Sequence, residues 1–321
     1  MPLKAAFAAL FLVCPVGGSA LAEPRSVLDA DGRTVVVEDV SRVVSLGQSI
    51  TETLYALGLE ADIAAFDMTS YYPPRALREK PDVGYLRQLS AEGVLSVGPS
   101  LVLAEEDAGP PTTIALLEKA SVPFVRVPDE RTPQGVLAKL RFIAELMGEA
   151  EKGGILADAV EADFAALDRA LDAARIGRPA RAMFILSLLD GRIMASGRDT
   201  AADAMLALAR AENVFPEFVG YKPVGAEAVL AAAPEAIVVM KRYGDGPGPG
   251  VDVADVLADR TLSETPAAKS GRVVSMNGLY LLGFGPRTAH AGRDLAAAIY
   301  PDLDLPQLAD RPWNGTMTVG Q

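Results

Sequence analysis

The side chain with the clearest capacity for chemistry is a tyrosine set outside any apolar run. In "PDVGYLRQLSAEGVLSVGPSLVLA", residues 81–104, Tyr85 follows Gly84 and stands two positions before Arg87. A phenolate is a hard anionic oxygen ligand of the kind ferric iron accepts, and tyrosine can serve as an axial ligand to haem iron. Free phenol ionises near pH 10, so such a ligand needs help at neutral pH, which a nearby guanidinium or the iron itself supplies. A spacing of two puts Arg87 beside Tyr85 if the segment is extended. The plainer expectation is that Tyr85 covers a lobe surface while Arg87 pairs with a local acid.

Few other residues invite chemistry. Glu105 and Glu106 follow an apolar run, and paired carboxylates can do acid–base work, but a solvated loop end is the expectation for them. The single histidine, His290, argues against a histidine-rich zinc or manganese site. It precedes "RDLAAAIY", which reads as a C-terminal helix, and has no serine or cysteine nucleophile in a recognisable context. There is no G-x-S-x-G elbow and no phosphate-binding loop; "GDGPGPG" at 244–250 lacks the following helix that would cradle a phosphate.

The elements that must position Tyr85 begin after an export signal. Lys4, an uncharged apolar run and Ala20-Leu21-Ala22 read as a cleavable signal peptide over residues 1–22. A lipid anchor at Cys14 fits poorly between Val13 and Pro15. Cleavage leaves 321 − 22 = 299 residues without cysteine, hence an exported protein held together without disulfides. The net charge of −12 becomes −13 once Lys4 is removed, which disfavours nucleic acid and anionic membrane as partners. No later run has the length of a membrane span, so membrane insertion is not expected either.

From 35 to 128, "RVVSLG", "DIAAFDM", "LVLAEE" and "PFVRVP" read as buried strands alternating with helical segments, the signature of a parallel sheet covered by helices. Thr132-Pro133 opens a helix as N-cap and first-turn proline, and the Ala/Leu/Glu/Asp-rich stretch after Gly148 predicts a second, longer one. The alternation then resumes with "RAMFILSLL", "AIVVMKR" and "RVVSMN". The fold class expected is α/β: two Rossmann-like lobes with mainly parallel sheets, 23–148 and 177–321, joined by a rigid helix over 149–176, with a ligand cleft between them.

An internal echo supports the two-lobe division. "AEGVLSVGPSLVLA" from Ala91 and "AEAVLAAAPEAIVV" from Ala226 share five of fourteen positions, and each follows a Gly-Tyr pair, Gly84-Tyr85 and Gly220-Tyr221. An exported, disulfide-free pair of lobes around a cleft suggests ligand capture.

The stretches "YYPPRAL", "DVGYLRQLSAEGVLSVGPSLVLA", "SGRDTAADAML", "GYKPVGAEAVLAAAPEAIVVM" and "GLYLLGFGPRTAHA" resemble the periplasmic haem-binding proteins of haem-uptake ABC transporters, from Arg42 to about Ala297. The resemblance implies that Tyr85 is the axial ligand to ferric haem and that Arg87 supports it. It also implies that Glu92 and Glu227, one acid per lobe, dock onto arginines of a permease dimer carrying ATPase subunits, the carrier itself being a monomer. Some members hold a second haem through a histidine after the first strand of the second lobe; "ILSLLDGR" has none, so one haem is expected. Cations for the haem propionates are expected at Arg242, with Lys241 and Lys222 behind it. Tyr221 is expected to face the porphyrin from the other lobe, and Leu281 and Phe284 to line the pocket. The rival readings are a cobalamin or ferric-siderophore carrier on the same fold and, from another class, an exported enzyme using the cleft.

Overall fold

Each half of the chain builds a sheet whose central strands are apolar along their whole length. The computed structural model describes residues 24–241 and 250–313. A hairpin of β1 (Arg25–Leu28) and β2 (Thr34–Val37) comes first. Its loop is closed by the Asp29 carboxylate, which accepts from the Asp31 and Arg33 N–H groups at 3.0 and 2.8 Å. The first lobe is then a four-stranded, all-parallel sheet of β3 (Val43–Leu46), β4 (Ile63–Phe66), β5 (Leu101–Ala104) and β6 (Phe124–Arg126), in the order β4-β3-β5-β6. β3 and β5 are buried at every position, as expected of parallel strands covered on both faces.

The second lobe departs from an all-parallel plan. β7 (Arg181–Leu189), β11 (Ala236–Lys241) and β12 (Val273–Asn277) run parallel, and the short β9 (Glu212–Asn213) also pairs with β7 in parallel. Two antiparallel strands that sequence reading missed, β8 (Arg192–Ser196) and β10 (Tyr221–Val224), extend the sheet in the order β10-β8-β7-β11-β12. A visible signal for β8 was Asp190-Gly191: both residues have positive φ, 51° and 70°, the two-residue hairpin geometry that Asp-Gly favours.

The helix Pro133–Met147 starts as expected, with Thr132 Oγ accepting from Gly135 N–H at 2.9 Å and Pro133 in the first turn. The long helix Ala150–Ala173 folds back along it and also contacts the C-terminal helix Thr288–Ile299. It is not a free-standing spacer. One apolar cluster runs from Val43, Ile50 and Leu103 through Leu140, Val160 and Leu167 of these two helices to Phe184, Val238 and Leu295. The lobes therefore share a core.

A polar contact reinforces that union. Glu52, on the first-lobe helix Gln48–Ala56, takes a two-pronged ion pair from Arg287, which lies 235 residues on, with Arg287 Nε donating at 2.9 Å. Both side chains are only 6% exposed. The guanidinium lies 3.5 Å from the Tyr72 ring centroid and 4.9 Å from that of Tyr280. No helix among the described residues is long and apolar enough to cross a membrane.

Candidate functional site

The carboxyl ends of the parallel strands of both lobes face a shared cleft of about 590 Å³. From the first lobe it is lined by Gln48, Met68, Tyr85–Arg87, Glu105, Asp107, Asp129 and Arg131. The second lobe adds Leu186, Thr200, Tyr221, Met240, Lys241, Leu279 and Leu282. The apolar members sit on both sides, which suits a flat ligand with two hydrophobic faces.

Tyr85 is held by backbone bonds to two loops at once. Residues 81–84 run alongside β4, with Val83 N–H donating to the Phe66 carbonyl at 2.9 Å and Met68 N–H to the Gly84 carbonyl at 2.9 Å. On the other side Gly109 N–H donates to the Leu86 carbonyl and Leu89 N–H to the Gly109 carbonyl, at 2.9 and 2.8 Å. Gly84 sits at φ 102°, a conformation that side-chain-bearing residues rarely adopt, and this turn swings Tyr85 out of the sheet edge and into the cleft.

Arg87 does reach Tyr85, by a different route from the one expected. The backbone is extended only at Tyr85 and then enters a 3₁₀ turn over Leu86–Gln88. The long Arg87 side chain closes the gap: Nη1 donates to the phenol oxygen at 3.0 Å, and Nη2 pairs with Asp107. Burial works against the Arg87 charge, but Asp107 and the Tyr85 oxygen more than offset it and hold the guanidinium above its usual range. The phenol oxygen is thus in direct contact with a permanent cation that a carboxylate keeps in place.

The second-lobe expectations divide. Tyr221 lines the cleft, and its ring lies 6.3 Å from that of Phe184. Its pKa is raised by burial, against the pull of Thr200, the Ala202 N–H and the two cleft arginines, Arg131 and Arg87. Lys241, the last residue of β11, also lines the cleft. Lys222 does not: side chains alternate along β10, so Lys222 points away from the Tyr221 side and lies over the Phe218 ring at 5.5 Å. Arg242 lies outside the described residues. Leu281 and Phe284 are 1% and 4% exposed and belong to the core. The pocket is lined instead by Leu279 and Leu282, three apart on one helical face.

Glu92 and Glu227 are both exposed, each in the first turn of a short helix, Ala91–Ser96 and Ala226–Ala232, that leads into a parallel strand, β5 or β11. His290 lies inside the helix Thr288–Ile299 rather than before it, and its Nε2 is 3.1 Å from the Ala309 carbonyl.

Glu105 is the main site residue that sequence reading misjudged. Glu106 is exposed, but Glu105 is half-buried in the cleft floor, and its Oε1 accepts from Ser49 N–H and Oγ at 3.0 and 2.6 Å. Desolvation pushes its pKa up to about 7; Lys139 opposes this, and Asp107 and Asp129 add to it. Arg131 and Asp129 were also missed; both come from the loop after β6, the strand-end position where cleft residues collect. Among the described residues no group of three or more histidine, cysteine, aspartate or glutamate side chains is arranged to hold a bare metal ion.

A shared core, parallel strands aimed into one cleft and a polar group presented from a braced loop define a two-lobed ligand-binding protein. The chain belongs to the periplasmic binding protein family, whose model matches residues 43–278. This is a family of substrate-binding transport proteins, not of enzymes. The fold is similar to that of the apo periplasmic heme-binding protein RhuT from Roseiflexus sp. RS-1, with a TM-score of 0.74, 36% identity, and coverage of 83% of this chain and 100% of that one. An uncharacterized ABC transporter substrate-binding lipoprotein, YvrC of Bacillus subtilis, is 28% identical over 283 residues, 87% of this chain and 86% of the relative. The vitamin B12-binding protein of Pectobacterium atrosepticum is 27% identical over 199 residues, 62% of this chain and 71% of the relative.

Proposed function

We propose that this protein is a periplasmic carrier, exported by residues 1–22, that takes up one ferric haem between its lobes and delivers it to an inner-membrane ABC importer. Tyr85 is the iron ligand. Arg87 Nη1 donates to its phenol oxygen at 3.0 Å, which fixes where that oxygen sits in the cleft and keeps a cation beside it. Met68, Leu86, Leu186, Met240, Leu279 and Leu282 face the porphyrin, and Arg131 and Lys241 supply positive charge for its carboxylates. Glu92 and Glu227 meet arginines of the permease, a charge-assisted contact suited to a steered and reversible encounter. Of these observations, the braced Tyr85–Arg87 pair in the cleft carries the assignment.

Cobalamin is the second reading, favoured by the vitamin B12-binding relatives. A serine–lysine contact beneath the cleft does not favour catalysis either. Ser49 Oγ lies 3.2 Å from Lys139 Nζ, but Ser49 is fully buried and bound to Glu105, and Lys139 is paired with Asp129. The deciding experiment adds hemin to the purified protein and follows the visible absorption. A saturable tyrosinate-type ferric spectrum that is lost in Tyr85→Phe is expected. No saturable change, or an unaltered spectrum in that variant, overturns haem capture, and calorimetric uptake of cyanocobalamin in its place would establish the second reading.

A further inference from the structure

The first lobe presents three carboxylates to the cleft, and the fold does not treat them alike. Asp107 is paired with Arg87; Asp129 is paired with the buried Lys139 and, at 3.5 Å, with Arg131. Glu105, between them, forms no ion pair among the described residues. Its Oε1 accepts only from the uncharged Ser49 N–H and hydroxyl. The cation closest to serving it is Lys139, but that ammonium donates to Ser49 Oγ at 3.2 Å and to the Phe284 carbonyl at 3.2 Å, and its charge is already matched by Asp129. Glu105 is thus the one acid of these three without an ion-pair partner among the described residues, Lys139 acting on it only from a distance.

The surrounding chain is shaped to this carboxyl. At Gly47, φ is 130° and a Cβ would fall 2.3 Å from Glu105 Cδ, so the loop after β3 can pass only as glycine. Ser49, which supplies both donors, is fully buried, and Gly285 of the second-lobe segment packs on it, a Cβ there meeting Ser49 at 3.4 Å. The carboxyl therefore faces the cleft from a closed cradle that offers it no second cation. The charges that act on it are Lys139 on the helix Pro133–Met147, Asp107 on its own loop and Asp129 after β6, while Arg87, Arg131 and, from the second lobe, Asp199 and Lys241 share the cleft lining. Burial, reinforced by Asp107 and Asp129, raises its pKa to about 7, so this carboxyl holds a proton far more readily near neutral pH than an ordinary glutamate does.

A ligand that fills the cleft expels the water that solvates Glu105 and brings no protein cation in exchange. We propose that Glu105 takes up a proton when the cleft is occupied and gives it back when the cleft empties, so that ligand capture is linked to pH through this residue. The proton comes from solvent and binds a carboxylate oxygen. The phenol proton that Tyr85 loses on coordination is a separate quantity and cancels when variants at Glu105 are compared. This inference rests on the haem reading, because hemin is the probe.

The test titrates hemin into wild type and Glu105→Gln at pH 6, 7 and 8 and counts protons exchanged at pH 7 in weakly buffered indicator solution. The amide keeps an acceptor for Ser49 and stands in for the protonated acid. The two proteins are expected to bind within about twofold of each other at pH 6, and wild type to bind about five- to tenfold more weakly than the variant at pH 8, which corresponds to a pKa rise of about one unit on binding. Wild type should also release up to about half a proton fewer than the variant at pH 7. A ratio of affinities that stays constant from pH 6 to 8, or equal proton counts, overturns the proposal. Should Glu105→Gln not fold, wild type alone decides: its net proton release must be smaller at pH 7 than at pH 5.5, where Glu105 already holds its proton, and equal release overturns the linkage. A protein that takes up no hemin at any pH overturns the haem reading and this inference together; hemin uptake without the linkage overturns only the inference.

Discussion

Arg287→Met tests whether the lobes are joined by charge as well as by apolar burial. The substitution keeps much of the unbranched stem but leaves the Glu52 carboxylate, 6% exposed, with Gln48 Nε2 at 2.9 Å as its remaining side-chain donor. Removing one partner of a buried ion pair costs about 3–5 kcal/mol, because the other charge stays desolvated. The stacking of the guanidinium on Tyr72 and Tyr280 adds about 0.5–2 kcal/mol. Against a total stability of roughly 5–15 kcal/mol this is a large fraction, and it corresponds to a fall in Tm of about 6–15 °C. Urea unfolding followed by far-ultraviolet circular dichroism measures it. Glu52→Gln should cost about as much, whereas the double variant should cost little more than either single one, giving a coupling close to one single-variant cost, about 3–5 kcal/mol. A single-variant cost below about 1 kcal/mol, or additivity of the two, would refute the role assigned to the pair.

Other consequences can be checked separately. Arg87→Leu should retain hemin binding but weaken it by about ten- to a hundredfold, because the donor that holds the Tyr85 oxygen and the cation beside it are lost together; spectrophotometric titration reads this out. Lys241→Ala should weaken hemin binding several-fold while Lys222→Ala leaves it unchanged, since only the first faces the cleft. Charge reversal at Glu92 or Glu227 should leave hemin affinity intact and lower uptake in a reconstituted importer, with the double reversal worse than either. For Glu105 the native pKa of about 7 lies above the ordinary 4.5, so the folded state holds a proton that the unfolded state has lost; stability should fall as pH rises from about 4.5 to 7 and then level off. Glu105→Gln should abolish that decline and gain about 1–2 kcal/mol at pH 8, after allowance for solvent reaching the half-buried carboxyl, as thermal melts across pH would show.

How far the sequence could be read depended on the range of the interactions involved. Local chemistry was legible: Gly84 before Tyr85, Thr132-Pro133 opening a helix, and the apolar runs of β3 and β5 all act within a few residues. The antiparallel strands β8 and β10 were missed although Asp190-Gly191 marked one turn, and with them went the alternation that separates Tyr221 from Lys222. Leu281 and Phe284 were placed in the pocket because apolar character does not reveal which side of a short helix meets the core. The acidic floor was illegible for a stronger reason. Glu105, Asp107 and Asp129 come from the loops after two strands, and the Lys139 that neutralises one of them comes from a helix; no spacing in the chain records which acid is left without an ion-pair partner. The Glu52–Arg287 pair spans 235 positions and leaves no local trace at all.

Glu92 and Glu227 each lie in the first turn of the short helix before a parallel strand, β5 in one lobe and β11 in the other, and docking through both would give the proposed face an approximate half-turn symmetry. A permease built of two like halves would accept such a face in either of two orientations, which doubles the productive encounters and contributes RT ln 2, roughly 0.4 kcal/mol, to association. The cleft has no matching symmetry, because the proposed iron ligand is carried by the first lobe alone. Cargo handed over from the two orientations would enter the translocation path in opposite poses. On the proposed docking, an importer served by this carrier would have to be indifferent to which edge of its substrate arrives first.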